Sequence, residues 1–331
     1  MTTPPVLAPA RLTGLGHHFP GEPVPNSYFE KELSHLAIDD EWIRRHTGVG
    51  TRHWGDDQER PVEMGVRAAQ DALVAAGLGP DDVDLVIGTS ATTRPRVNPS
   101  SVGNRYMDIS LPLQKQLGAT RAACFDVGAV ACAGFLYGSM VASSLLAMHH
   151  GQTALIVCAE NPRPILNFDY RYSALFGAGA AAAVWQRCEP GEGGLLDVVV
   201  RSDGRHYDVF DIDDQDKVVM RGREVGRIGP AMLTGAAREV LGRTSRTVAD
   251  IDWFIPHQGN VNMVHEVRDA LGIPDERLLM NLEHRGNTHS VSIPGCLSEH
   301  VQAGTVRPGD TILALGIGRG FTWGAMLFRY R

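Results

Sequence analysis

The residue most able to do covalent chemistry in this sequence is Cys132, in the segment 125–135, FDVGAVACAGF. The residues before it predict a short strand, and the apolar residues after it predict a buried helix. Cys132 is therefore expected at a strand–turn–helix junction, near the helix N-terminus. Exposed amides and the helix dipole there favour the thiolate, the reactive form of cysteine. A small buried core residue is the alternative interpretation.

A thiol nucleophile needs partners that hold or move protons, and the second half of the chain offers them. His257 and Gln258 follow the apolar run DWFIP, where a strand is expected to end. Asn287 lies in the Gly-Asn-Thr stretch of HRGNTHSVSIPG, although such a pair more often marks only a turn. Each signal is weak alone, since the chain has 13 histidines.

The glycine-rich segment 316–324, GIGRGFTWG, is predicted to be a loop between two C-terminal strands. It lacks the following helix and the Lys-Ser/Thr pair of a P-loop, so phosphate binding is a poor interpretation. Backbone amides in such a loop can instead form an oxyanion hole.

The composition limits the classes of protein to consider. The chain has 331 residues, 43% of them hydrophobic, which is enough for one large domain or two related halves. A net charge of −7 argues against binding nucleic acid, while a local basic patch for an acidic carrier stays open. Five scattered cysteines without a CxxC pair predict no metal site and a reducing cytoplasm. We expect no secretory signal, because the N-terminal residues lack a basic segment followed by an apolar run. We expect no membrane span, because Gly, Ser and Cys interrupt the longest apolar stretches.

Three pairs of similar segments occur in the same order along the chain, which indicates an internal duplication. The pairs are 71–87 with 238–255, 151–157 with 309–315, and 176–185 with 321–330. Strands alternate with helices in both halves, which predicts an α/β fold built from two similar sheets. The turn-like composition of 186–194 puts the division between residues 1–186, which carry Cys132, and residues 187–331.

Two segments fit neither half of the repeat. The polar stretch 208–224, DVFDIDDQDKVVMRGRE, is predicted to be a surface excursion from the second half. The stretch 94–113, RPRVNPSSVGNRYMDISLPL, has no clear period and is predicted to be a binding loop.

Taken together, these motifs resemble the β-ketoacyl-acyl-carrier-protein synthase III family of the thiolase superfamily. The resemblance spans nearly the whole chain and includes DEWIRRHTGV, FDVGAVACAGF, FGAGAAAAV, MRGREV, PHQGN, GNTHSVSIPGCL and GFTWGAMLFRY. It implies two pseudo-twofold-related halves in an αβαβα arrangement, and a homodimer. It also implies loading of an acyl group from acyl-CoA, followed by decarboxylative condensation with malonyl on an acyl carrier protein.

The resemblance assigns a role to each site residue. Cys132 is the nucleophile, and His257 and Asn287 donate hydrogen bonds to the enolate oxygen. The amides of Cys132 and Arg319 form the oxyanion hole. No metal or redox cofactor is implied. The residues expected to bind CoA or shape the acyl pocket are Trp42, on which the adenine would stack, Arg45, His46, Arg171, Gly226, Gln258, Asn262 and Phe321.

The chain departs from the family pattern at several positions. Five residues instead of four separate Asp126 from Cys132, so the turn before the cysteine is expected to bulge. Family residues are also replaced at His46, Ala178, Gly226, Asn262, Arg285 and Arg319. Neutral drift and an altered substrate choice both explain these changes. In the second case, Arg319 would pair with a carboxylate or polar acyl group.

Three other functions compete with condensation. The first is acyl transfer to a hydroxyl, amine or thiol acceptor without a new C–C bond. The second is a non-catalytic partner subunit, which the presence of Cys132 argues against. The third is a hydroxymethylglutaryl-CoA synthase, which needs a glutamate near the thiol; the nearest earlier one, Glu63, is expected in a helix instead.

Overall fold

The computed structural model of the protein describes residues 10–56, 59–93, 108–189 and 193–331. The first part contains strands β1 (Ala10–His18), β2 (Val24–Pro25), β3 (Thr51–Arg52), β4 (Leu85–Thr89), β5 (Ala123–Asp126), β6 (Thr153–Glu160) and β7 (Gly179–Arg187). Its helices are α1 (Ser27–Glu32), α2 (Asp40–Thr47), α3 (Pro61–Ala76), α4 (Ser110–Leu117) and α5 (Gly134–Ala147).

The second part follows the same alternation of strands and helices. Its strands are β8 (Leu195–His206), β9 (Phe210–Ile212), β10 (Val218–Met220), β11 (Trp253–Pro256), β12 (Thr311–Gly318) and β13 (Gly320–Arg329). Its helices are α6 (Gly222–Arg243), α7 (Val261–Leu271), α8 (Leu282–Arg285) and α9 (Ser292–Gln302).

The larger sheet has the strand order β1-β7-β6-β4-β5. Strand β4 runs parallel to β5 and β6, whereas β7 runs antiparallel to β6 and β1. Every residue of β6, TALIVCAE, is buried, as expected for a strand covered on both faces. Strand β5 lies at the edge and pairs with β4 alone among the described strands.

The second sheet has the order β11-β12-β13-β8. Strand β11 is parallel to β12, and the other neighbours are antiparallel. The segment 316–324 is part of this sheet, because β12 and β13 are joined by Arg319 alone and Gly318 faces Thr322 across the hairpin. The prediction of a glycine-rich loop here was therefore wrong: the small residues lie in two paired strands.

The two sheets form five alternating layers with the helices. Helices α5 and α9 pack between the sheets in one buried cluster, to which Phe135, Ile156, Ile293 and Ala314 belong. Helices α3 and α4 cover the outer face of the first sheet, and α6 and α7 cover that of the second. The predicted αβαβα fold is confirmed. No helix within the described ranges combines the length and apolarity needed to cross a membrane.

Two segment predictions need correction. In the proposed loop 94–113, residues 94–107 lie outside the described residues, but α4 begins at Ser110. The last residues of the predicted loop are helical because Leu113 and Leu117, one turn apart on α4, pack against α3. The excursion 208–224 contains the β9–β10 hairpin and the start of α6, and parts of it line the cavity described below. The division within 186–194 stays a prediction.

Candidate active site

A cavity of about 1110 Å³ opens at the carboxyl ends of strands from both sheets. Segments that follow β4, β5 and β11 form part of its wall, together with the end of β12 and the β9–β10 hairpin. Ligands bind at this edge in open α/β sheets. The cavity brings together the three residues that sequence reasoning assigned to catalysis, Cys132, His257 and Asn287.

Cys132 lies in the short 3₁₀ turn Ala131–Ala133, between β5 and the first turn of α5. The predicted strand–turn–helix junction is confirmed. The lengthened turn before it includes two alanines in the left-handed region, Ala129 at φ 63° and Ala131 at φ 45°. A left-handed non-glycine residue costs about 1–2 kcal/mol, so the turn carries strain that the surrounding structure must offset.

The neighbouring strand β12 comes very close to this turn. A Cβ atom on Gly318 would lie 2.0 Å from the carbonyl oxygen of Val130 and 3.0 Å from the amide nitrogen of Cys132. The Thr322 hydroxyl also donates a hydrogen bond to the Val130 oxygen, at 3.1 Å. The second sheet therefore contacts the Cys132 turn directly, and only glycine fits at 318.

Burial raises the pKa of the Cys132 thiol, and the nearby Glu160 carboxylate raises it further. Only a hydrogen bond from the backbone amide of Cys132 acts in the opposite direction. The expected stabilisation of the thiolate by the start of α5 is thus outweighed by burial. The resting residue is a neutral thiol, and a base must take its proton when it reacts.

His257 follows β11 directly, and its amide donates a hydrogen bond to the Leu315 oxygen of β12 at 2.6 Å. The ring is buried, with Nδ1 2.7 Å from the Ser292 hydroxyl. That hydroxyl accepts the Gln258 amide at 3.4 Å, so we assign its own proton to His257 Nδ1. Burial, with the neighbouring His289, lowers the pKa of His257 to about 3. The ring is neutral and carries its proton on Nε2, the nitrogen free to donate to a substrate.

Asn287 is fixed by its backbone and by its side-chain oxygen. Its amide donates to the Leu175 oxygen at 2.8 Å, and its side-chain oxygen accepts the His289 amide at 2.9 Å. The side-chain nitrogen has one long contact, 3.4 Å to the Gly259 oxygen. This amide group therefore keeps donor capacity for a ligand in the cavity.

Two residues near the thiol were missed by sequence reasoning. His289 lines the cavity with Nδ1 3.9 Å from the Cys132 Sγ. Glu160, the last residue of β6, is fully buried and accepts hydrogen bonds from the Ala91 amide and the Thr92 and Ser290 hydroxyls. His289 stands two residues after Asn287, which was the available signal, but nothing in the sequence distinguished it from the other histidines.

Comparisons with known proteins agree with this architecture. The family model described as 3-oxoacyl-[acyl-carrier-protein (ACP)] synthase III matches residues 125–204, and the C-terminal model of that family matches residues 241–330. The chain is 35% identical to the beta-ketoacyl-[acyl-carrier-protein] synthase III of Acidiphilium cryptum, with 96% of this chain and 98% of that protein covered. The chain belongs to the 3-oxoacyl-[acyl-carrier-protein] synthase III family.

Solved structures support the same family assignment. The 3-oxoacyl-(acyl carrier protein) synthase III of Pseudomonas aeruginosa PAO1 superposes with a TM-score of 0.88 at 30% identity, covering 97% of this chain and 98% of that one. The priming β-ketosynthase of the R1128 polyketide pathway superposes with a TM-score of 0.85, also at 30% identity, with 98% of both chains covered. The predicted resemblance is confirmed.

Three of the residues predicted to bind CoA in this synthase form one cluster, Trp42, His46 and Arg171, within which only His46 lines the cavity. His46 lines the cavity, and the Trp42 ring stacks on it at 4.4 Å between centroids. The Arg171 guanidinium lies 5.8 Å from the Trp42 ring. Arg45, on the same helix as Trp42, is exposed. The His46 imidazole covers one face of the Trp42 indole. An adenine could therefore stack only on the other face, unless the imidazole moved away.

Of the other predicted substrate-binding residues, some line the cavity of the synthase and some do not. Gly226, Asn262 and Arg319 line it. Gln258 does not: its side chain is buried and donates to the Pro256 oxygen at 2.7 Å. Phe321 does not either, because its ring is fully buried against α6 and stands 5.4 Å from the His206 ring. Neither side chain lines the cavity, and their role toward the substrate stays a prediction.

The two departures that introduce arginine have local partners. The Arg319 side chain donates from Nε to the Phe210 oxygen at 3.0 Å, and its Nη2 lies 3.9 Å from Asp211. The Arg285 side chain lies away from the cavity and donates to Glu299 at 2.7 Å. The Arg285 guanidinium thus pairs with Glu299 away from the cavity. The Arg319 guanidinium points toward the β9–β10 hairpin.

Proposed function

We propose that this synthase loads an acyl group from an acyl-CoA onto Cys132 and condenses it with malonyl carried on an acyl carrier protein. In the first half-reaction the sulfur attacks the acyl thioester and CoA leaves. In the second, the malonyl thioester loses CO₂, and its enolate carbon displaces Cys132 to give a 3-oxoacyl thioester. One observation carries this proposal: Cys132, His257 and Asn287 line a single cavity in a chain of the synthase III family.

His257 and Asn287 suit the condensation because both are neutral donors. The Nε2 proton of His257 and the side-chain amide of Asn287 would bind the enolate oxygen as negative charge develops on it. Preorganised donors of this kind lower the barrier without a metal ion. Loss of CO₂ supplies the carbanion without any change of oxidation state, so we propose that the reaction needs no metal or redox cofactor.

The amides of Cys132 and Arg319 are our proposed oxyanion hole for acyl transfer. The close approach of Gly318 to the Cys132 amide supports this assignment, because Arg319 follows Gly318 directly. Two backbone donors at one point are sufficient to stabilise a tetrahedral oxyanion.

We propose that the acyl group is uncharged. Most of the cavity surface is apolar, with Leu175, Phe176, Ile212, Val218 and Met220 among its side chains, although Arg221, Arg223 and Arg319 also line it. The Arg319 guanidinium is turned toward Phe210 and Asp211, so it offers weak pairing to an acyl carboxylate. A Cβ atom added at Gly226 would have no other atom within 4 Å, which leaves room for the acyl chain beside α6.

For the thioester carriers we propose an entry between α2 and α6. Trp42, Arg45, His46 and Arg171 would hold CoA, and Asn262 lies at the same opening. The exposed Arg223 and Arg227 at the start of α6 form a basic edge for an acidic carrier protein. We place the enzyme in the cytoplasm, since none of the five cysteines forms a disulfide in the structure and the nucleophile must stay reduced.

We propose that the chain divides into halves at 1–186 and 187–331, and that it works as a homodimer. The first sheet ends with β7 at Arg187 and the second begins with β8 at Leu195. The dimer is supported by the edge strand β5, whose outward side is unpaired among the described residues and whose Cys124 and Phe125 are only half-buried. An apolar edge of this kind favours strand pairing with another chain.

The test is intact-protein mass spectrometry with acetyl-, longer acyl- and dicarboxylic acyl-CoAs, followed by malonyl carrier protein and CO₂ detection. An uncharged acyl adduct on the wild type, then CO₂ and a 3-oxoacyl product, is the expected result, and Cys132→Ser should give no product. An adduct that passes to an alcohol or amine without CO₂ release would contradict condensation. Equal use of dicarboxylic acyl-CoAs by the wild type would contradict the proposed acyl class.

A further inference from the structure

Besides His46 and His257, the cavity contains a histidine for which the proposed mechanism has no use. His289 lies in the 3₁₀ turn His289–Val291, and its Nδ1 is 3.9 Å from the Cys132 sulfur. Among the residues that the structure describes, it is the only side chain within hydrogen-bonding distance of that sulfur. This distance is suitable for a thiol donating to an imidazole.

The His289 ring is held in place by packing rather than by a partner at its second nitrogen. It stacks on Phe176 with 4.9 Å between centroids and 5° between planes. Its backbone lies in the left-handed region at φ 52°, and its amide donates to the Asn287 side chain. Nε2 is buried without a hydrogen-bond partner among the described residues. The backbone and the stacking therefore aim Nδ1 at the sulfur.

The titratable groups that face His289 are Cys132, Glu160 and His257. Burial lowers the pKa of His289, so the resting ring is neutral and can accept a proton. The Glu160 carboxylate raises that pKa and would stabilise the imidazolium once formed. His257 cannot take this role in its assigned tautomer, because Ser292 occupies Nδ1 and Nε2 already carries a proton.

We propose that His289 is a further catalytic residue, the base that accepts the Cys132 proton when the acyl group is loaded. This inference rests on the proposed function. The Sγ–C bond forms as the C–S bond to CoA breaks. The thiol proton moves to His289 Nδ1 and then to the departing CoA sulfur. His289 thus serves the first half-reaction, while His257 and Asn287 serve the second.

The decisive variant is His289→Phe, which keeps a flat ring on Phe176 and removes both nitrogens. Single-turnover loading by acetyl-CoA, followed by rapid quench and intact mass, should slow by about 10²–10⁴-fold at pH 7. The rate should then rise about tenfold per pH unit, because hydroxide must remove the thiol proton. His284→Phe, the same change at an exposed position of the same segment, should load like the wild type.

A chase separates this role from a structural one. Enzyme loaded to completion, freed of acetyl-CoA and mixed with malonyl carrier protein should condense within a few-fold of the wild-type rate for His289→Phe. His257→Ala should show the reverse pattern, with condensation reduced more than loading. If His289→Phe does not fold, His289→Asn replaces it, because asparagine tolerates the left-handed backbone.

The outcomes distinguish this inference from the proposed function. Wild-type loading rates and pH profiles in the folded variant would overturn the role of His289, and so would an equal loss of loading and condensation. A wild type that loads through His289 but never condenses would overturn the proposed function and leave the inference intact. A wild type that forms no acyl-enzyme would overturn both.

Discussion

At the scale of single residues, the thiol and the two imidazoles beside it are uncharged at rest. Burial raises the pKa of the Cys132 thiol and lowers the pKa of both His257 and His289. A neutral thiol beside a neutral imidazole avoids the cost of a buried ion pair. Charge then appears only as a substrate reacts, and hydrogen bonds from fixed groups are in place to meet it.

A consequence for stability follows from His257. Its pKa is about 3 in the folded chain, below the value of 6.5 expected when unfolded, so below pH 6.5 the unfolded state binds a proton that the folded state does not. The stability that depends on neutral His257 is complete above pH 6.5 and is lost as the pH falls toward 3. The free energy of unfolding of the wild type relative to His257→Gln should fall by about 1.4 kcal/mol per pH unit in that window. Urea unfolding at fixed protein concentration measures this, and a constant difference would contradict it.

Residues that share the cavity could be chosen from sequence, but the direction of neighbouring side chains could not be predicted. Cys132, His257 and Asn287 were found from their motifs. Phe321 was assigned to the pocket, yet successive side chains of β13 point to opposite faces, so Thr322 meets the cysteine turn and Phe321 packs against α6. The Gln258 side chain, in the turn after β11, likewise points away from the cavity, and its amide donates a hydrogen bond to a backbone oxygen.

At the scale of elements, the position of Cys132 depends on the contact between its turn and strand β12. This contact joins the first half of the chain to the second, since the turn follows β5 and the strand belongs to the other sheet. The sequence predicted the Cys132 turn and a C-terminal strand, but not that the two touch. A glycine at position 318 is typical of a loop, and its role is visible only once the neighbouring turn is known. The same ambiguity made the predicted loop longer than the single residue Arg319 that joins β12 to β13.

Gly318→Ala tests that contact. The added Cβ would lie 2.0 Å from the Val130 oxygen, so either strand or turn must move, and we expect a loss of about 1–3 kcal/mol in the free energy of unfolding. Acyl-enzyme formation should slow as well, because the displaced amide belongs to Cys132. The control is Gly235→Ala on α6, where a Cβ meets nothing within 4 Å and helix propensity should add about 0.5–1 kcal/mol. Equal stability of Gly318→Ala and the wild type would contradict the contact.

At the scale of the whole molecule, the open edge of the first sheet bears on assembly. The amides of Ala123 and Val127 point toward β4 and donate hydrogen bonds to the oxygens of Asp84 and Gly88. Because successive amides of a strand point in opposite directions, the amide of Cys124 points away from β4, toward the open edge. Cys124→Pro removes that outward donor and spares the pairing with β4. We expect the variant to elute as a monomer in size-exclusion chromatography with light scattering at concentrations where the wild type is a dimer. Cys124→Val keeps the amide and should stay dimeric; a dimeric proline variant would contradict pairing through β5.

Because the whole molecule is negatively charged, binding of an acidic carrier protein must depend on a local group of basic residues. At −7 the chain as a whole repels an acidic carrier protein, and Asp211 of the β9–β10 hairpin adds negative charge in the cavity wall. The exposed Arg223 at the start of α6 must then offset this repulsion at the entrance. Arg223→Glu should raise the KM for malonyl carrier protein about fivefold, roughly 1 kcal/mol, with a smaller effect at high salt.

Malonyl-CoA and a distant charge reversal separate this effect from damage to the site. The KM for malonyl-CoA should change less than that for the carrier protein, since a small thioester makes fewer contacts with the surface. Arg307→Glu makes the same change of net charge before β12, at the end of the sheet away from the cavity, and should leave both KM values near the wild type. If both reversals weakened the carrier equally, net charge alone would govern the encounter, and the entrance between α2 and α6 would lose its support.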